Sequence, residues 1–141
     1  MAGHGYDDIQ AGTEIAPRHY HVTRRELVKY AGASGDFNPI HWNERTAKSV
    51  GLPDVIAHGM LTMALAGRFL TEWAGDPGAV TEFGVRFSAP VVVPDADKGA
   101  TVEVAGVVTE KLDGNRVRVE ISASSADAKV LTRASAVVRL G

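Results

Sequence analysis

Apolar and polar positions divide the chain into a largely helical first half and a strand-like second half. Glu14 to Val22 mixes polar and apolar residues in a way that suits an edge strand. A helix start follows: Thr23 has Glu26 three residues later, the spacing at which hydroxyl and carboxylate each satisfy an orphan backbone N–H. Leu27, Val28, Tyr30 and Ala31 supply its apolar face, and Gly32 and Gly35 are expected to end it. Ser34 to His41 is rich in turn formers and predicts an irregular loop. Asn43 is placed to cap a short helix over Glu44 to Val50, closed by Gly51 and Pro53. The longest helix is expected from Gly59 to Trp73. Met60, Leu61, Met63, Ala64, Leu65, Ala66, Phe69, Leu70 and Trp73 leave almost no polar stripe on it, so something must enclose it. Gly75-Asp76-Pro77-Gly78 stops it.

The second half supplies the enclosure. Val80 to Phe87, Ala100 to Lys111, Arg116 to Ala126 and Val130 to Leu140 all read as strands. In the third, Val117, Val119 and Ile121 alternate with Arg116, Arg118, Glu120 and Ser122. Leu112-Asp113-Gly114-Asn115 is a hairpin turn. Short links imply an antiparallel sheet, and a buried helix against a curved sheet is an α+β architecture. The whole of 1–141 reads as one domain, with 1–12 as a loose N-terminal lead-in. A single sheet layer on one helix leaves an edge bare, so a dimer is expected.

Composition removes several function classes. The chain has 141 residues, 45% hydrophobic and 23% charged, the ordinary globular balance. Fifteen Lys+Arg against 17 Asp+Glu give a net charge of −2, so bulk electrostatics offer no case for nucleic acid or an anionic membrane. With no cysteine there is no disulfide, thiol nucleophile or thiolate metal site. Met1 to Gln10 lacks the pattern of a signal peptide, and the apolar run Gly59 to Gly67 is about half a membrane span. A cytoplasmic protein is expected.

Two segments carry chemistry. In the first, Asp36 stands five residues before His41 on a turn-rich loop, with Pro39 restricting the backbone between them and Asn38 able to form an Asx-type turn. A carboxylate and an imidazole held together are the usual pair for proton transfer near neutral pH, although an Asp on a loop is often only a turn residue. In the second, Ile56 to Thr62 opens the long helix, and Gly59 at its N-terminus presents a backbone N–H where the helix dipole favours negative charge. A glycine there also serves simple backbone freedom. His19 and His21 would share one strand face, but no carboxylate pair completes a metal site, and none is expected.

Tyr30 to Ala47, with its Ser34-Gly35-Asp36 and Asn38-Pro39-Ile40-His41 core, resembles the hydratase 2 motif of the MaoC-like, (R)-specific enoyl hydratase family, and His58-Gly59-Met60-Leu61 follows at family spacing. The run from Trp73 to Phe87 is similar to the catalytic B subunits of actinobacterial (3R)-hydroxyacyl-ACP dehydratases. The resemblance implies a hotdog fold, a long helix wrapped by an antiparallel sheet. It implies a hydro-lyase that interconverts trans-2-enoyl and (3R)-3-hydroxyacyl thioesters, in fatty acid elongation or as a short-chain enoyl-CoA hydratase. Asp36 and His41 would be catalytic, and the Gly59 N–H would hold the thioester enolate oxygen. Asn38, His58 and Thr62 would support the loop or contact substrate. The family's serine beyond the His-Gly block has no counterpart in Ala64 to Gly67. No cofactor is implied. Partners would be acyl-CoA or acyl-ACP substrates, with acyl carrier protein among them, and a homodimer or heterodimer with a related hotdog subunit. Arg86, Arg116 and Arg118 are candidates for carrier phosphates, though scattered strand arginines are commonly just solvated. Two further readings are a hotdog thioesterase and a non-catalytic partner subunit. The first needs a carboxylate on the central helix, which has only Glu72 near its far end. The second has no use for both Asp36 and His41.

Overall fold

The computed structural model describes residues 4–141. Strand β1 (Glu14–Val22) leads into helix α1 (Arg24–Ser34), a short helix α2 (Glu44–Ser49) and the long helix α3 (Gly59–Ala74). Four strands follow: β2 (Val80–Phe87), β3 (Ala100–Leu112), β4 (Arg116–Ser125) and β5 (Ala128–Arg139). They form one antiparallel sheet in the order β1-β3-β4-β5-β2. This is the expected α+β hotdog arrangement.

Helix α1 starts as its capping residues require, with the Glu26 carboxylate accepting from the Thr23 backbone N–H at 3.0 Å. It runs through Gly32 and ends only at Gly35, because a glycine inside a helix weakens it without stopping it. Asn43 caps α2 by accepting from the Thr46 N–H at 3.0 Å. Strand β4 ends one residue early and β5 begins two residues early. Ala126 and Asp127 both take positive φ, and that tight two-residue turn lets pairing continue to the Ser125–Ala128 rung.

Helix α3 buries Thr62, Ala66, Phe69, Leu70, Trp73 and Ala74, a single stripe at helical period, against the sheet's inner valines such as Val102, Val104, Val117 and Val119. Its opposite face is not enclosed within the chain: Met60 is 56% exposed and Ala64 is exposed. The lead-in is also tighter than expected. Tyr6 to Asp8 form a 3-10 turn, Ile9 is buried, and the Tyr6 N–H donates to the Gly141 carbonyl at 2.9 Å; Met1 to Gly3 of that lead-in lie outside the described residues.

The segment 88–99, where the sequence predicts no element, builds one wall of the site. Ser88 and Ala89 hydrogen-bond to the Val130 and Lys129 carbonyls at the start of β5. Ala57 donates to Val91 and Val93 donates to Val55, each at 2.9 Å, around an isolated Ile56–Val92 bridge. The Arg24 guanidinium clamps this corner, donating to the Val93 carbonyl and to Glu44 and pairing with Asp54.

Candidate active site

The loop after α1 is shaped by its own side chains. Asp36 Oδ1 accepts from the Asn38 N–H at 3.1 Å, and Asn38 Oδ1 accepts from the Ile40 N–H at 3.2 Å. These successive Asx turns carry the chain into a 3-10 turn over Pro39–His41. Trp42 Nε1 donates back to the Phe37 carbonyl at 2.9 Å, closing the loop.

The turn delivers His41 into the interior, where its Nδ1 lies 2.7 Å from the Ile56 carbonyl. A carbonyl only accepts, so Nδ1 carries the proton, and the neutral ring presents its lone pair at Nε2. That nitrogen stands 4.0 Å from Asp36 Oδ2. The gap is too long for a hydrogen bond and suited to a shared oxygen: an atom about 2.8 Å from each group would see them at roughly a right angle. Asp36, at 52% side-chain exposure, faces the outside while His41 closes the inside.

Gly59 is the first residue of α3, so its N–H has no partner within the helix. The space here is also close: a Cβ would lie 3.2 Å from the Phe87 ring, which would have to give by a few tenths of an ångström. His41, Gly59, Thr62, Phe87, Pro90 and Val130 are among the residues lining a cavity of about 190 Å³. Thr62 is buried there, one turn into the helix. A larger groove, about 690 Å³, crosses β1, β3, β4 and β5 and contains none of these residues. Volume alone therefore points away from the acid–base pair, and the chemistry decides for the smaller cavity.

His58, only 2% exposed, is the residue that joins the two segments. Its Nε2–H donates to the Asp36 carbonyl at 3.1 Å, and its ring stacks on His41 with centroids 3.8 Å apart and 22° between planes. Tyr30 covers it further, 4.8 Å away. Its Nδ1 is buried without a hydrogen-bond partner. Burial, and then the neighbouring His41, push its pKa below the ordinary histidine value, so it stays neutral. A buried orphan acceptor typically costs about 1–3 kcal/mol.

Asp36, His41 and His58 also bring ligand atoms within 4.8 Å of one another. Nearly parallel stacked rings keep their in-plane lone pairs from converging on one ion, and His58 Nε2 is engaged as a donor. The arrangement suits proton transfer better than metal ligation.

Of the six residues singled out in the sequence, His41, Gly59 and Thr62 line the cavity; Asp36 stands at 4.0 Å from His41, while Asn38 and His58 hold the loop. Sequence reasoning missed the Ile56 carbonyl and the wall formed by Phe87, Pro90 and Val130. A backbone acceptor leaves no side-chain signal, and Phe87 reads as an ordinary strand aromatic. Elsewhere, His19 does meet a carboxylate, Glu103 at 2.8 Å, because register pairs them across β1 and β3. Arg116 serves its own hairpin by donating to the Asp113 carbonyl. Among the described residues no helix is long and apolar enough to cross a membrane.

The MaoC like domain model matches residues 8–129. The chain is 35% identical over 109 residues to the (R)-specific enoyl-CoA hydratase of Rhodospirillum rubrum, covering 77% of this chain and 74% of that protein. It is 44% identical over 73 residues to 3-hydroxyacyl-thioester dehydratase X of Mycobacterium tuberculosis, covering 52% of this chain and only 25% of that protein. A solved structure of a MaoC-like dehydratase superposes with a TM-score of 0.93 at 44% identity, over 97% of this chain and 42% of the other. The chain thus spans less than half the length of two of these three relatives. Both halves of its site, the Asp36–His41 loop and the helix start at Gly59, fall inside the matched region, and the chain belongs to the family of MaoC-like domains.

Proposed function

We propose that this chain is a hydro-lyase that adds water reversibly across a trans-2-enoyl thioester, giving the (3R)-3-hydroxyacyl thioester. The observation that carries this reading is the pairing of His41 Nε2 and Asp36 Oδ2 at 4.0 Å beside the unused N–H of Gly59. In hydration a water oxygen shared by the pair adds to C3 and gives up one proton. C2 takes up a proton, and the thioester oxygen carries enolate charge in between. The Gly59 N–H meets that charge at the positive end of α3. Dehydration is the reverse: a proton leaves C2, and the β-hydroxyl departs as water after protonation. The (R) configuration rests on the names of the relatives.

The cavity of about 190 Å³ opens to the surface, so it admits a short acyl group and does not by itself bound a longer one. The short-chain enoyl-CoA and the elongation substrate suggested by the Trp73–Phe87 resemblance are therefore separated by the substrate series, and a second subunit could extend the cavity. Phe37, Trp42, Met60 and Phe87 are all exposed on the segments that form the site, and β2 is an edge strand. Such apolar surface beside an unpaired edge fits a second hotdog subunit, identical or related. A thioesterase is disfavoured because Glu72 lies about 20 Å along α3 from Gly59, held by Tyr20, Arg18 and Arg68.

The test follows enone absorbance of crotonyl-CoA and of a longer trans-2-enoyl thioester, on CoA and on acyl carrier protein, with wild type, Asp36→Asn and His41→Asn. Loss of absorbance that both variants abolish supports the reading. Activity that survives both substitutions, or a folded wild type silent on every substrate both alone and with its partner subunit, overturns it. The mass of the purified chain separates a homodimer from a protein that needs a different subunit.

A further inference from the structure

His58 makes no sense as a packing residue. Its ring is enclosed by Tyr30 and His41 and almost inaccessible, yet one of its nitrogens has no hydrogen-bond partner. An apolar side chain of similar size would fill the same space without stranding an acceptor, and the fold would gain stability by it. A group retained against that cost is doing something packing does not require. Its one donor bond shows what. It reaches across 22 residues to the backbone carbonyl of Asp36, while its face backs the ring of His41. Thus a single side chain touches both members of the acid–base pair, through the backbone carbonyl of Asp36 and the face of the His41 ring. It also sits at the N-cap of α3, one residue before the Gly59 N–H. Among the described residues the other side-chain hydrogen bond between the two segments is that of His41 Nδ1 to the Ile56 carbonyl, so His58 alone ties the Asp36 backbone to the start of α3.

From this we infer that His58 is a positioning residue: its Nε2–H bond to Asp36 and its stack on His41 set the separation at which the pair shares a water. The inference rests on the hydro-lyase reading above. His58 itself touches neither substrate nor the transferred proton. Neutrality is part of the device, because a second proton would place two imidazolium faces against each other once His41 takes its proton. The depressed pKa of the buried ring is consistent with that requirement.

Three substitutions separate positioning from packing. His58→Phe keeps a flat ring and removes both the donor and the stranded acceptor. His58→Gln keeps an amide donor able to reach the Asp36 carbonyl. His58→Leu removes ring and donor at similar volume, and stands in for Phe should the larger ring fail to fold. Turnover of crotonyl-CoA is measured with melting temperature on the same preparations. Misplacement on the scale of an ångström costs about a hundredfold in rate, so kcat in the Phe and Leu variants should fall about 10- to 100-fold with KM within about twofold. Their melting temperatures should stay level or rise by a few degrees, and Gln should recover most of the lost kcat. Activity and stability moving in opposite directions is an outcome that a structural role cannot produce. A spectroscopic check comes from imidazole ¹⁵N shifts, which should show His58 protonated at Nε2 and bare at Nδ1 near neutral pH. The inference is overturned if wild type turns over crotonyl-CoA and Phe or Leu matches it, or if kcat falls only in step with melting temperature. A folded wild type silent on every substrate, alone and with its partner subunit, overturns the hydro-lyase reading itself, and the ¹⁵N shifts then decide the His58 bond: a proton on Nδ1 would overturn it.

Discussion

Gly99 closes the loop that walls the candidate site, and replacing it with alanine tests whether that closure is as tight as the geometry says. It has φ +64°, and a Cβ there would lie 2.1 Å from the Val22 carbonyl oxygen and 2.8 Å from the Thr23 Cα. Both neighbours are backbone, at the junction where β1 passes into α1, so no side chain can swing aside. Alanine in the left-handed region costs about 1–2 kcal/mol by itself. Relieving the clash means moving the strand end or the loop by about 1 Å, a distortion of the kind that costs about 1–3 kcal/mol more. Gly12 is the matched control: its φ is +93° with nothing within 4 Å, so Gly12→Ala carries the backbone penalty alone. The difference between the variants is therefore about 1–3 kcal/mol, or roughly 3–9 °C in melting temperature for a chain of this size. Urea and thermal unfolding of both variants measure it. Turnover should follow, because residues 91–93 pair with 55–57 directly ahead of His58 and Gly59. Gly99→Ala should lose activity while folded, and Gly12→Ala should not. Equal midpoints for the two variants would refute the argument from crowding.

Three further outcomes are expected. His41→Asn keeps a donor for the Ile56 carbonyl and removes the Nε2 base, so kcat should drop by about 10²- to 10⁴-fold with little change in melting temperature, read from paired turnover and melting assays. Tyr20→Phe should cost about 1 kcal/mol and leave kcat unchanged, because the lost hydroxyl serves Glu72 far from the site. Burial and then the Glu72 hydrogen bond push the Tyr20 pKa up to about 12. Its share of stability is therefore intact below the unfolded value near 10 and lost between about pH 10 and 12, a loss that alkaline melts should show in wild type and not in the variant. His58 carries the opposite sign: with its folded pKa depressed, its contribution is intact above the unfolded value of about 6.5 and declines as pH falls below it. Acid melts of His58→Phe should accordingly slope less steeply than those of wild type.

How much of this was legible in the sequence depended on whether side chains or backbone carried the information. The capping pairs Thr23–Glu26 and Asn43–Thr46 are local, and the structure has them where the spacing put them. Alternation in β4 set Val117, Val119 and Ile121 on one face before any partner strand was known, and the structure buries that face and continues it to Ala123. Helix α3 was harder. Its uniform apolarity argued for enclosure on all sides, but the chain buries only one stripe of it. A sequence shows that a face is apolar and does not show whether the cover comes from the same chain. The segment 88–99 was opaque for a related reason: its order comes from pairing with residues 55–57 and 129–130, which are distant in sequence and offer only carbonyls and N–H groups.

The same distinction explains what was and was not foreseen at the site. Asp36 and His41 could be named from residue type and spacing, since a carboxylate and an imidazole advertise proton chemistry. Their useful geometry could not, because it is imposed by atoms with no side-chain identity. The Ile56 carbonyl selects which nitrogen of His41 is free, and the Asp36 carbonyl is the grip by which His58 holds the loop. His58 reads in the sequence as a residue that packs under the loop or closes the turn before Gly59. Only its stranded Nδ1 distinguishes it from an ordinary buried histidine, and that is visible only once the surrounding shell is known. The tautomer of His41, the neutrality of His58 and the 4.0 Å opening between Asp36 and His41 are therefore one coupled arrangement. A change at any one of these residues should be felt as a change in the distance across which water is shared.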